Sequence, residues 1–371
     1  MVSQTEQNLA DMRALLPRLF DCAPERLEAD NPHLKTLSDR VLGNARSLSG
    51  RAAPDHFRHT LLHTMRQRFV RESRDLDEKQ LARMTSSAVR FHRSKLADRR
   101  HALPVHLECI RADSPVDLGP VRMTPITTYA ASHENPDIRS WIGKADMVAE
   151  VTIPQCDIPM SEQRALHTVE RARDILRLLA GEYHAVNKIT SPRPVRWPEI
   201  VRDLPAAIPR GFALALTSIS DPTRPWPLAA RLLDGVSWYS IGSRENSVAA
   251  AITIWVNALE RLTMTRDHMR ITDCVAQRTA LLTLLHHPEK GYAACRREAD
   301  ALYEIRCALV HGGASPFDPD MIAHADAAEA ITRTACLGAL SFFSQIGLET
   351  MPYTSKAMEK AYHMMEKQLQ T

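Results

Sequence analysis

Arg306 and His311 lie five residues apart near the C-terminus, in the stretch Ala301-Leu-Tyr-Glu-Ile-Arg306-Cys-Ala-Leu-Val-His311-Gly-Gly. An imidazole moves protons near neutral pH. A guanidinium stays charged and presents a planar fork that matches a phosphate. Together they supply a base for a nucleophile and a cation for the charge that builds on phosphorus. That is a minimal set for cleaving RNA without a metal, because the 2′-hydroxyl is an internal nucleophile; DNA lacks it. Five residues of ideal helix turn by about 500°, so the two side chains point about 140° apart and about 7.5 Å apart along the axis. They do not share a face. The double glycine Gly312-Gly313 lets the helix end fray there. In the alternative reading Arg306 pairs with a carboxylate or caps carbonyls, and His311 is a helix-end residue facing the macrodipole.

The elements that must hold these residues are helical. After residue 227 the apolar periodicity predicts helices over roughly 246–263, 273–285, 292–310, 320–343 and 355–368. His286-His287-Pro288 stops the second, since proline cannot continue a helix. Gly312 and Gly313, with Pro316 beyond, stop the third. Short connections favour an antiparallel bundle. The middle of the chain differs. Val105–Ile110 alternates like a strand, 118–129 suggests edge strands with turns, 147–153 is a further strand, and Gly211–Ile219 is read as another. Between them a helix runs from a Ser161 cap to Gly181. The first hundred residues are helical, with Asp75 read as an N-cap ahead of Leu76 and Glu78. The expected fold is mainly α, with an α+β N-terminal and middle region and a C-terminal antiparallel helical bundle. The expected domains are 1–100, 101–227 and 228–371.

Net charge is only +3, which does not by itself mark a nucleic-acid binder. Residues 51–111, however, hold 14 Lys/Arg against 7 Asp/Glu. Arg58, Arg66, Arg68, Arg90 and Arg93 in that stretch are candidates for phosphate contact by counterion release; a solvated helical face is the other reading. Seven cysteines without a Cys-x-x-Cys fit a reducing compartment. The N-terminus has no apolar signal core, and no apolar run is long enough for a membrane span. A cytoplasmic protein with no membrane partner is expected.

Several pieces in fixed order resemble the Apea-like branch of the HEPN superfamily. These are Leu232-Leu-Asp-Gly-Val-Ser-Trp238-Tyr, then Ile254-Trp255-Val-Asn-Ala-Leu259-Glu260, then Tyr303-Glu-Ile-Arg306-Cys-Ala-Leu-Val-His311-Gly312. The resemblance covers roughly residues 228–350. It implies a HEPN helical bundle that pairs as a homodimer. It also implies a metal-independent endoribonuclease whose product is a 2′,3′-cyclic phosphate, acting in antiviral defence or as a toxin. Arg306 and His311 would be catalytic, with Glu260, Tyr303 and Cys307 supporting them. Many members carry a polar residue where this chain has Cys307, and a thiol is a weak donor. The alternative is therefore a non-catalytic RNA-binding or dimerisation module in a larger assembly.

Other motifs carry less. His56, His59 and His63 fall at i, i+3 and i+7 on one helical face, but no carboxylate or thiol completes a metal set apart from Asp55. Arg58 and Arg66 add positive charge beside them. An ordinary helix surface is expected, and no metal or cofactor is assigned. Trp141, Trp197 and Trp226 could stack on bases or anchor loops. No P-loop, dinucleotide fingerprint, serine-hydrolase elbow or zincin pattern occurs.

Overall fold

The structure, a computed structural model, describes residues 13–19, 26–72, 77–107, 110–132, 145–181, 202–203, 208–265, 271–349 and 355–368. Its helices begin where a short polar side chain or a proline precedes an apolar period. After α1 (residues 13–19), Asn31 caps α2 (Pro32–Asn44) by accepting from the backbone N–H of His33 and Leu34 at 3.0 and 3.1 Å. Pro54 opens α3 (Pro54–Arg66), which runs on into a π-helical turn over Gln67–Arg71. Asp77 caps α4 (Glu78–Arg93), accepting from Gln80 N–H at 2.6 Å. The cap falls on Asp77; Asp75, the residue expected to cap, lies outside the described residues. Asp77→Ala is expected to cost about 1 kcal/mol, measurable as a lower urea midpoint with an unchanged m-value.

Strands follow: β1 (Ala97–Val105), β2 (Ile110–Arg111), β3 (Val116–Asp117), β4 (Val121–Pro125) and β5 (Met147–Cys156), with a short helix α5 (Ile126–Ala131) between the last two. Four of them form one sheet in the order β1-β5-β4-β3, with β3–β4 and β4–β5 antiparallel. Val121 opposes Val151, and Pro125 opposes Met147. β2 pairs in parallel with β6 (Arg202–Asp203). The alternation at Val105–Ile110 thus marks the end of one strand and the start of a two-residue one. The long strand lies before it, because Arg99, Arg100 and His101 hide its pattern.

Helix α6 (Ile158–Ala180) starts four residues earlier than expected. Asp157 caps it by accepting from Met160 N–H at 2.9 Å, so Ser161 sits inside the first turn. Gly181 ends it at φ 65°. Gly211–Ile219 is not a strand: Arg210–Ser220 form helix α7, burying Phe212, Ala215 and Leu216. A short, almost wholly apolar run satisfies either period, and Pro209 at the cap position selects the helix.

The remaining helices are α8 (Pro227–Arg244), α9 (Val248–Thr263), α10 (Ile271–His286), α11 (Tyr292–Val310), α12 (Met321–Ile346) and α13 (Ser355–Gln368). Helix α12 packs against α7 through α11, and α10 also packs against α13. Small buried residues of α12 (Ala325, Ala328, Ala335, Gly338, Ala339) let its neighbours approach. Trp255 of α9 is fully buried and donates its indole N–H to the Tyr239 carbonyl at 3.1 Å. Arg333 of α12 donates to the carbonyls of Leu178 and Leu179, closing the C-terminus of α6. The fold is mainly helical with a small antiparallel sheet, as the periodicity predicted.

Contacts group the chain into two units. One comprises Met1–His101 with Thr152–Ala165, and the other Ala102–Val151 with Leu166–Thr371. The first has its own core, built on Leu34, Leu37, Phe57, Leu61, Leu81 and Met84. No helix among the described residues is long and apolar enough to cross a membrane.

Candidate functional site

Arg306 and Tyr303 stand one turn apart on α11, and Glu260 reaches them from the C-terminal turn of α9. The Tyr303 hydroxyl donates to Glu260 Oε1 at 3.0 Å. Arg306 Nη2 lies 3.8 Å from the same oxygen, and its guanidinium stands 5.6 Å from the Tyr303 ring centre. Burial first, and then the Glu260 carboxylate, push the Tyr303 phenol up to about 12, so it remains a neutral donor at physiological pH. The Arg306 Nε is buried and has no hydrogen-bond partner among the described residues. A guanidinium carries five N–H donors. One ion pair at 3.8 Å is longer than a hydrogen bond, so the group keeps capacity for another anion. Its side chain is 22% exposed, enough to be reached from solvent.

His311 is the C-cap of α11, at φ −97° and ψ 7°, with its backbone N–H on the Cys307 carbonyl at 2.9 Å. Gly312 takes φ 77°, which only glycine adopts without strain. The amides of Gly313 and Ala314 both return to the Ala308 carbonyl, at 2.7 and 3.1 Å. The double glycine therefore closes the helix by the left-handed route, and the histidine is left exposed on its last turn. Cys307 is half-buried. Glu260, Tyr303 and Arg306 are thus brought together, and His311 lies on the next turns of the same helix.

Two of the basic candidates have local partners. Arg58 donates to Asp55 at 2.7 Å, and Arg66 donates to the Leu27 carbonyl. Arg68 and Arg90 do line one open groove, with Lys79 and Arg83, but Asp77 and Glu78 line it too. Arg93 is exposed near the end of α4. Trp226 precedes α8 with Arg224 5.8 Å from its ring, while Trp141 and Trp197 lie outside the described residues. His286 ends α10 and His287 follows it, pairing with Glu289 at 2.9 Å.

Of the three spaced histidines, His59 and His63 are exposed, and His56 turns to different partners. It meets His92 and Asp157, two residues that its helical spacing could not reveal. Asp157 bears no exposed surface. Burial pushes its carboxyl up, but hydrogen bonds from His92, the Met160 and Ala53 amides and His56 outweigh that and hold it below the usual carboxylate range. In the second unit Asp234 ties two helices, accepting from Arg171 at 3.0 Å and from Arg261 at 3.0 and 2.7 Å. That tie is structural, and a lone aspartate in an apolar helix was its only signal. Comparison with protein-family models, with curated proteins and with solved structures gives no match for this chain.

Proposed function

We propose that the chain is a metal-independent endoribonuclease of the HEPN type, with helices α8–α12 as its bundle. His311 takes the proton of a ribose 2′-hydroxyl as that oxygen bonds to phosphorus, Arg306 neutralises the charge on the phosphorane, and the P–O5′ bond breaks with the 5′-oxygen protonated by the second copy's His311 or by water. Glu260 and Tyr303 position Arg306. The observation that carries this reading is an arginine with uncommitted donors on the same helix end as an exposed histidine. Because the two side chains diverge on the helix, the productive cleft combines pairs from two copies in a homodimer. The resemblance further implies a role in antiviral defence or as a toxin-like effector.

The contact among Tyr303, Glu260 and Arg306 favours a second reading. There the arginine braces α9 against α11, and the bundle binds RNA or another copy without cutting.

The test is incubation of the purified chain with RNA in excess EDTA. The proposal expects fragments ending in 2′,3′-cyclic phosphate and no cleavage at a 2′-deoxy nucleotide. Activity lost on chelation and restored by Mg²⁺ would overturn the metal-free chemistry. RNA that shifts in a gel but stays intact at high protein concentration would select the second reading.

A further inference from the structure

Three segments far apart in sequence converge on one carboxylate in the first unit. Asp157 joins β5 to α6, His56 lies on the first turn of α3, and His92 is near the end of α4. Asp157 Oδ2 lies 3.0 Å from His56 Nδ1 and 2.9 Å from His92 Nε2. The three ligand atoms all lie within 4.8 Å of one another. His92 and Asp157 are fully buried, while the His56 side chain is 31% exposed. The two rings meet edge-on, with centroids 5.0 Å apart and planes at 71°. They do not stack, and both present a nitrogen to the same oxygen.

The Thr60 hydroxyl is 3.1 Å from the His56 carbonyl and 3.1 Å from His92 Nδ1. With Nδ1 facing Thr60, His92 Nε2 is directed at the Asp157 carboxylate oxygen at 2.9 Å, and both side chains are fully buried. A metal ion placed among the three ligand atoms would engage all of them at once. A second partner on the other ring nitrogen, as Thr60 supplies, is the usual device that orients a ligating histidine. Phe57 packs edge-on to the His92 ring at 5.5 Å. Arg58 and Arg66, which follow His56 on α3, are directed to Asp55 and to the Leu27 carbonyl.

We propose that His56 Nδ1, His92 Nε2 and the Asp157 carboxylate bind one borderline divalent transition metal, Zn²⁺ foremost, which clasps α3, α4 and the β5–α6 junction. Two imidazoles and one carboxylate suit zinc, cobalt or nickel and not calcium or magnesium, which take oxygen ligands. Three protein ligands leave a fourth position for water on the part-exposed His56 side. This site is independent of the nuclease reading, since no residue of it lies in the bundle.

The experiment uses the full chain, stripped with a chelator and dialysed. Zn²⁺ is titrated by calorimetry, and Co²⁺ serves as the optical probe. The expected result is one equivalent per chain and a Co²⁺ visible spectrum of low coordination number. The unfolding midpoint should rise by roughly 5 °C at Zn²⁺ about 100-fold above Kd. His56→Gln, at the exposed edge where folding tolerates it, is expected to weaken binding at least about 100-fold, and Thr60→Val by about 10- to 100-fold. A His59→Gln/His63→Gln double variant should still bind one equivalent. A stripped chain that takes up no Zn²⁺ and keeps its midpoint would overturn the proposal, leaving a proton-bridged brace. So would uptake unaffected by His56→Gln.

Discussion

Replacing His311 with alanine is expected to lower RNA cleavage by about 100- to 10,000-fold, the usual contribution of a positioned general base. Its unfolding midpoint should not move. The ring is exposed at the end of α11, the backbone bond that closes the helix is made by its main-chain N–H, and surface substitutions of this kind stay within about 0.5 kcal/mol. That separation makes the variant decisive, because loss of activity cannot be blamed on loss of fold. Arg306→Ala should fall by about 100- to 1,000-fold. Its stability cost is small, since the ion pair with Glu260 is partly solvated and long at 3.8 Å. Arg306→Lys keeps the charge but not the planar fork, so its rate should stay close to that of the alanine variant. Initial rates on a labelled RNA, with circular dichroism melts alongside, decide the matter. Parental cleavage by both alanine variants would remove the pair from the chemistry and leave the bundle as a binding module.

Gly338→Ala is expected to be the most damaging single methyl group in the second unit. Gly338 lies in the interior of α12, and a Cβ placed there would sit 1.9 Å from the Leu282 carbonyl oxygen and 2.7 Å from its carbon. Both atoms belong to the backbone of α10. No rotamer can turn aside, so the two helices must separate along a buried seam, and overpacking of that kind costs about 3 kcal/mol or more. The midpoint of thermal unfolding should drop by roughly 5 °C or more. Gly43→Ala is the matched control. It is a helical glycine of α2 with nothing within 4 Å of the added carbon, so alanine's better helix propensity should leave stability unchanged or higher by up to about 1 kcal/mol. Equal stability of Gly338→Ala and the parent would show that α10 and α12 do not cross as closely as the structure places them.

The two variants probe different kinds of information in the chain. Tyr292–Val310 has the bounds expected from sequence, because a sustained apolar period with glycine at its ends is a local signal. The same is true of the helix end at His311-Gly312, where a left-handed residue requires glycine. Local signals fail where two periods fit the same residues. Arg210–Ser220 reads equally well as a buried strand by its apolar period; Pro209 at the cap position and packing against α8 and α12 go with the helix. They also fail where a polar side chain caps a helix and serves a second partner. Asp157 accepts from Met160 in the first turn of α6 while it holds two histidines, and Ser161 offers the more familiar cap four residues on.

By itself the sequence determined the helical class, the order of the C-terminal helices, and the placing of an arginine and a histidine at one helix end. These depend on residues within a few turns of one another, where spacing dictates geometry. Tertiary structure alone decided that Glu260 and Tyr303 share an oxygen beside Arg306. It alone decided that His56 turns from its neighbours His59 and His63 toward His92 and Asp157, across separations of 65 and 101 residues from the two histidines to the aspartate. Contacts over such distances are set by how whole elements bury their apolar faces, and no local pattern of residue types encodes where those faces meet.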